Sequence, residues 1–371
     1  MTLKEPRISH GSGSYLYDDE GHAFLDLTCG FGTVFLGHAD AAINAALANQ
    51  ANRVLNTGRR PSGINDQLNK AMSDWLNPDF KFGGLYSTGM EAMEFALRVA
   101  ADHNGRDEFV GFEGSMHGKS IGTANLGWSN TLIKWQQVTR LPFPSSQTSP
   151  VDQLEIVLAK KNISAVVIEP IQGSKRGDVM PPQTLGAIID TCSRHGTVSI
   201  VDETLTGFYR TGPRFVSDSI SERPDIVVFA KSLGNGFPVS SIALKPGIDP
   251  GPLTIPGSTF SDSPLAAATV LATLREVKAR VGSDLITRIE STVREHFQVD
   301  HATLQGQGAL WIVEMRTTEQ AVAVQEALAR AHVLVSRFGA CLRLLPQAEI
   351  PIGDLADAIR CLSQNANQNG S

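Results

Sequence analysis

Three ionisable residues each follow a run of apolar, β-branched residues. Lys231 follows "IVVFA", Asp202 closes "VSIVD" and Glu169 follows "AVVI". The end of a buried strand is a costly place for a charge, because burial penalises the ionised form. That cost has a chemical use. A desolvated lysine gives up its proton more readily, and the neutral amine can form a Schiff base with an aldehyde. A desolvated aspartate needs a cationic partner, and a protonated pyridine nitrogen is one. An aldehyde and a pyridine on one molecule describe pyridoxal 5′-phosphate. Lys231 and Asp202 are therefore the candidate catalytic pair, with Glu169 at the edge of the same site.

Such a cofactor also needs an anion cradle. "YSTGMEAMEFALRVAADHNG" reads as a strand, a turn at Thr88, Gly89 and Met90, and a helix that closes near Gly105. Free N–H groups at a helix start bind phosphate without a cationic side chain, and Thr88 can add its hydroxyl. No metal site is expected: "CSRH", with Cys192 and His195, has no second ligand pair.

The elements that must position these groups are legible by pattern. "SAVVIEP", "PPQTLGAIIDTCSRHG", "TVSIVDE" and "DIVVFAKS" alternate strand, helix, strand and strand. Continuous apolar strands joined by helices predict a parallel sheet covered on both faces. Ligands of such sheets sit outside the carboxyl ends of the strands, where Glu169, Asp202 and Lys231 stand. "GSYLYDDEGHAFLDL" predicts a hairpin turning at Gly21. "AAINAALANQANRVL" predicts a helix, and "GINDQLNKAMSDWL" another with Asn65 or Asp66 near its cap. A long helix is expected from Pro264. Beyond it, "GALWIVEM", "EQAVAVQEALARA" and "ACLRLLP" predict a smaller α+β domain, and the polar "SQNANQNGS" reads as a frayed end. The expected division is an N-terminal segment over 1–36 packing with the small domain, a large cofactor-binding domain over 37–275 and a C-terminal small domain over 276–371.

Composition narrows the class. A chain of 371 residues has room for one large and one smaller domain. A net charge of −6 gives no basic face for nucleic acid. The start of the chain has no apolar signal core, and no stretch is apolar for long enough to span a membrane. Four scattered cysteines read as reduced thiols of a cytoplasmic protein.

In order along the chain, "LYDDEGHAFLDLTCGFGTVFLGHAD", "STGMEAMEFALRVA", "MHGKSIG", "VVIEPIQG", "VDETLTGFYRTG", "FAKSLGNGFP", "GSTFSDSPLAAAT" and "LRLLP" resemble the motifs of the class III aminotransferases. The resemblance implies an α/β protein of fold type I, with a mostly parallel sheet and helices on both faces plus a smaller α+β domain. It implies transamination between an amino donor, glutamate or another amino acid, and a carbonyl acceptor. Lys231 falls on the Schiff-base lysine and Asp202 on the partner of the ring nitrogen. Thr88, Gly89 and Met90 fall on the phosphate turn, Met116 and Thr204 on the two ring faces, and His117 beside them. Leu205 falls where a glutamine reaches the ring oxygen. Thr259 falls on a threonine that reaches the phosphate of a neighbouring subunit, so a homodimer is implied. Arg343 falls on the arginine for the substrate α-carboxylate, and Glu169 lies at the site's edge.

Several positions depart from that pattern. Met90 replaces a serine or threonine, Met116 an aromatic, Thr204 a valine and Leu205 the glutamine. An apolar residue at the last position is also found in the glutamate-semialdehyde aminomutases, so an aminomutase or racemase is the alternative. Ser174 stands where ornithine-type and 4-aminobutyrate-type members carry a glutamate that masks the arginine, which implies an Arg343 that is always available. Lys119, Lys175 and Arg176 can add positive potential for an acidic substrate. The short stretch between His117 and Glu169 suggests an open mouth, suited to a large or carrier-bound acceptor.

Overall fold

The computed structural model describes residues 5–128, 137–144, 149–160, 162–249, 251 and 257–368. The stretch behind the open-mouth expectation includes residues outside that set, at 129–136, 145–148 and 161.

The apolar runs form a seven-stranded sheet in the order Lys81–Tyr86, Ser240–Leu244, Ile226–Phe229, Val198–Asp202, Ile163–Ile168, Glu108–Phe112, Val138–Leu141. From Ile226–Phe229 to Val138–Leu141 every pairing is parallel. Ser240–Leu244 runs antiparallel to both of its neighbours, which restores Lys81–Tyr86 to the common direction. The central strands are buried along their whole length, as their unbroken apolar sequences require. Helices Gly89–Asn104 and Pro182–Arg194 belong to the two separate apolar clusters that cover its faces. Pro182 takes the first helical position, where its missing N–H leaves no bond unmade.

Two four-stranded sheets complete the molecule. One joins Ile8–Ser12, Tyr15–Asp18 and Ala23–Asp26 to Val333–Leu334 near the other end of the chain. Leu25 lies opposite Val333 in that parallel pairing. The other is antiparallel, in the order Thr303–Gln307, Leu310–Glu314, Cys341–Leu344, Ser336–Phe338. One apolar cluster containing Leu27, Trp311, Leu344 and Leu362 unites both sheets with the last helix. A small cluster of Cys29, Ile171, Leu205, Leu310 and Leu345 forms the seam toward the large sheet.

One expectation is refined and one corrected. The helix Gly63–Trp75 is capped at Ser62, and Asn65 and Asp66 lie near that cap, in its first turn. Asn65 donates to the Asp262 carbonyl at 2.9 Å. The last helix, Ile352–Gln368, runs through most of "SQNANQNGS". Its polar letters hid an inward stripe: Ser363 and Ala366 are buried, and His301 and Gln320 meet the Ala366 carbonyl at 3.0 and 3.1 Å. Among the described residues no helix is long and apolar enough to cross a membrane.

Candidate active site

The common strand direction brings Thr88, Glu169, Asp202 and Lys231 to one edge of the sheet. A cavity of about 680 Å³ opens there. Lys231, Asp202, Thr204 and Met116 line it, as do Thr88, Gly89 and Met90. His117, Lys119 and Arg343 do so too. The site thus draws on segments from residue 31 to residue 343.

Lys231 adopts a left-handed backbone conformation, φ 46°, that a side chain disfavours. Such strain persists only where surroundings impose it and gathers at functional positions. Burial, then the charge of Arg343, push its ammonium down to about 8, against the opposing pull of Asp202 and Glu169. The chain therefore favours the neutral amine far more than water does.

Asp202 accepts from His117 Nδ1 at 2.8 Å and from the Thr204 amide at 3.0 Å. Burial alone would raise this carboxyl. The hydrogen bond and charge of His117, with the amide and hydroxyl of Thr204, outweigh it and hold the group below its ordinary range. No lysine or arginine pairs with it among the described residues. His117 Nε2 is buried without a partner on its other side.

The phosphate turn is built as a helix start. Thr88 caps the helix Gly89–Asn104 by accepting from the Glu91 amide at 3.1 Å, and Glu91 reaches back to the Ser87 amide at 2.9 Å. The Gly89 and Met90 amides have no acceptor in the chain among the described residues. Gly89 keeps the approach narrow but open: a Cβ there would lie 3.2 Å from Thr204 Cγ2.

Glu169 is buried and outside the cavity wall, acting from behind it. Its two oxygens accept from the Met116 amide at 3.0 Å and the Gly173 amide at 3.2 Å. Burial raises its carboxyl to about 6. Gly173 in turn accepts from Arg343 at 2.7 Å, so one carboxylate braces both the Met116 loop and the arginine. Arg343 is only 4% exposed and lies between Phe338, at 4.6 Å, and Phe31, at 5.8 Å from the ring centres. Burial and the nearby Arg210 push its guanidinium down to about 10, still far above neutrality. No carboxylate pairs with it among the described residues, and Ser174 lines the cavity with it.

Leu205 is buried behind the wall, in the seam between the sheets. It presses on Gly173, where a Cβ would meet Leu205 Cδ2 at 2.1 Å. Thr259 is exposed and outside the wall of this cavity; its carbonyl accepts from Asn56 at 2.8 Å. Arg176 is taken up by Glu314 at 2.8 Å, whereas Lys119 and Lys175 have no such partner among the described residues.

Three features escaped the sequence reading. Asp26 accepts from the Thr28 amide at 2.8 Å, the Cys29 amide at 3.1 Å and His38 at 2.8 Å. It thereby holds Cys29, Gly30 and Phe31 in left-handed conformations, φ 52°, 55° and 57°, and sets Phe31 at the cavity. Trp128 forms part of the wall as well. Arg210, fully buried, donates to the Gly32 carbonyl at 2.9 Å and the Ala309 carbonyl at 3.3 Å and stacks on Phe35. It ties the N-terminal turn to the antiparallel sheet. For Arg210 the basic residue type alone hinted at its role, since its partners are remote in sequence, whereas Asp26 has a local signal in Thr28 and Cys29.

The sequence profile of class-III aminotransferases matches residues 4–365. The chain belongs to this family. A 2-aminoadipate transaminase of Pseudomonas putida is 30% identical over 73% of this chain and 70% of its own length. An acetylornithine aminotransferase of Methanopyrus kandleri is 28% identical over 94% of this chain and 93% of its own. The fold matches that of an amine transaminase from an uncultivated Pseudomonas species in its PLP-bound form, with a TM-score of 0.90 and 23% identity over 99% of this chain and 96% of that one. The class III aminotransferase described here is a pyridoxal-phosphate-dependent enzyme of fold type I, and its reaction is transamination. The relatives cited are transaminases, and nothing favours the aminomutase alternative.

The residues present fit that cofactor. A buried carboxylate with no lysine or arginine partner among the described residues, two free amides at a helix start and a lysine whose proton affinity is lowered by burial line one cavity.

Glu203, next to Asp202, has a different environment. Its carboxylate accepts from the Ser217 amide at 2.9 Å and from the Thr206 hydroxyl, away from the cavity. Burial raises it to about 7 from an ordinary 4.5. The folded chain therefore holds a proton that the unfolded chain releases. The resulting stabilisation is complete below the unfolded value and is lost as pH rises through about 7. Glu203→Gln should flatten this dependence: between pH 5 and 8, the fall in its melting temperature should be about 2–4 °C smaller than in the native chain. Parallel slopes in thermal denaturation would assign the group no titration in this range.

Proposed function

We propose that Lys231 is the covalent anchor and proton carrier of this transamination, and that the donor is an acidic α-amino acid of the glutamate kind. The observation that carries the reading is Lys231, its proton affinity lowered by burial, on the same cavity wall as the ionised Asp202, which His117 supports and no lysine or arginine pairs among the described residues. When bound, pyridoxal phosphate supplies an aldehyde carbon that takes up the amino group and a ring that draws electrons from the adjacent bond.

The chain's own groups do the rest. Asp202, kept ionised by His117 and Thr204, holds a proton on the ring nitrogen. The Gly89 and Met90 amides and the Thr88 hydroxyl hold the phosphate; Met90 brings its N–H but no hydroxyl. Met116 and Thr204 cover the ring faces. Lys231 Nζ takes the proton from the carbon bearing the amine and returns it one position away. Arg343, braced by Gly173 and flanked by two aromatic rings, holds the substrate carboxylate by its planar fork. The unpaired Lys119 adds attraction for anions at the mouth. Glu169 is a positioning residue. Leu205 shapes Gly173 from behind and carries no polar contact to the ring. Thr259 serves the site of a second copy in a homodimer, a reading supported by its exposure and its place outside this chain's own cavity. The unpaired cysteines support a cytoplasmic setting.

The donor class is further supported by the unmasked Arg343 and by the relative named for 2-aminoadipate. A single-turnover screen tests it: amines are added to the yellow holoenzyme and loss of colour is followed. L-Glutamate and L-2-aminoadipate should bleach it at least about tenfold more efficiently than amines of equal length without a carboxylate. Equal efficiency across the panel would remove the acidic donor.

A further inference from the structure

A second cavity, of about 360 Å³, adjoins the first, and the two share the side chains of Trp128 and Ser174. Its wall carries Arg140, Lys175 and Glu113. Arg140 stands on Val138–Leu141, the last strand of the large sheet. It is half-buried, makes no ion pair or hydrogen bond among the described residues, and its Nε is fully buried without an acceptor. That nitrogen is shut off from the cavity, so an anion there would be met by the rest of the guanidinium, which no described group takes up. Lys175 is folded over the backbone of Gly114: a Cβ there would come within 2.3 Å of Lys175 Cδ and 2.6 Å of Nζ, so the missing side chain makes room for the ammonium. Glu113 is exposed and pairs with neither cation. The wall therefore has two unpaired cations against one solvated carboxylate.

We propose that this second cavity is the subsite for a distal carboxylate of the amino substrate. It rests on the reading above, in which Arg343 holds the α-carboxylate within the first cavity. The shared wall supplies the passage. Ser174 is short and uncharged, whereas a glutamate there would fill the junction and repel an acidic chain. Trp128 offers an apolar face to the intervening methylenes. Arg140 and Lys175 then receive the far carboxylate, Arg140 through its fork. The specificity this predicts is for α-amino dicarboxylates over amino acids with uncharged ends.

The test uses holoenzyme and two six-carbon α-amino acids that differ at the far end, L-2-aminoadipate and L-norleucine. Arg140→Gln should raise the half-saturating concentration of L-2-aminoadipate for bleaching about tenfold. L-Norleucine should stay within about twofold, and the maximal rate for both should hold. Lys175→Met should shift L-2-aminoadipate in the same direction. Equal shifts for both amino acids, or none, would overturn the subsite. Calorimetric binding of adipate, against hexanoate, reads the subsite without turnover: adipate should weaken in Arg140→Gln while hexanoate does not. Inorganic phosphate displacing adipate at equal concentration would overturn the assignment to a carboxylate. If no amine bleaches the native enzyme but adipate binding depends on Arg140, the donor reading fails and the subsite stands. Bleaching that is indifferent to Arg140 and Lys175 has the opposite meaning.

Discussion

Lys231→Ala should yield a protein with no visible absorbance band on addition of pyridoxal phosphate, and with transamination reduced by at least about 10⁴-fold. Two roles are lost together. Among the described residues the amine shares the cavity wall with one other lysine, Lys119, and burial lowers its proton affinity. Arg343 stays charged and cannot take its place. Stability should not suffer. Alanine keeps the left-handed backbone strain of φ 46° but removes a buried amine next to a guanidinium, so the melting temperature of the apo protein should hold or rise. Spectra of the purified variant and steady-state assays decide the matter; retained turnover would remove Lys231 from the reaction.

Asp202→Asn should lower turnover by on the order of 10³-fold or more while leaving the fold intact. The amide keeps the shape but cannot hold a proton on the ring nitrogen. The remaining acceptor must also serve His117 Nδ1 and the Thr204 amide, now 2.8 and 3.0 Å from the carboxylate. Cofactor should dissociate more readily, because a buried charge pair is replaced by a neutral contact. The comparison that separates this from a structural loss is His117→Asn. It removes one support of the carboxylate and should cost much less, about 10-fold, with a shifted pH profile of the visible band. Equal losses in both variants would point to disrupted packing around the His117–Asp202 contact rather than to the carboxylate's charge.

The two predictions rest on residues that local pattern alone brings into view. "VSIVD" and "IVVFAKS" are unbroken apolar runs, and such runs become central parallel strands with their carboxyl ends on one side. The helix start at "STGMEA" is equally local: a threonine cap, a glycine and a glutamate three residues after the cap. What failed depended on contacts remote in sequence. "SQNANQNGS" looks frayed by composition, yet its buried stripe of Ser363 and Ala366 becomes visible only against Gln298, His301 and Gln320. Asn65 lies near the cap as its position suggests, but its side chain serves the Asp262 carbonyl 197 residues away.

By itself the sequence determined the strand ends, and with them the placing of Lys231, Asp202 and Glu169 on one rim, because strand direction follows from apolar runs joined by helices. It also determined the helix start at Thr88, because capping depends on residues within one helical turn. Tertiary structure alone decided the charge states and the shape of the site. How far Lys231 is shifted toward its neutral amine depends on burial and then on Arg343, 112 residues later. Whether Glu169 is a contact or a brace depends on Met116 and Gly173. Whether Arg140 faces a cavity depends on Gly114, Trp128 and Lys175 meeting across a sheet edge. Burial and Coulomb forces act through space over a few ångströms, and distance along the chain carries no record of which groups will meet there.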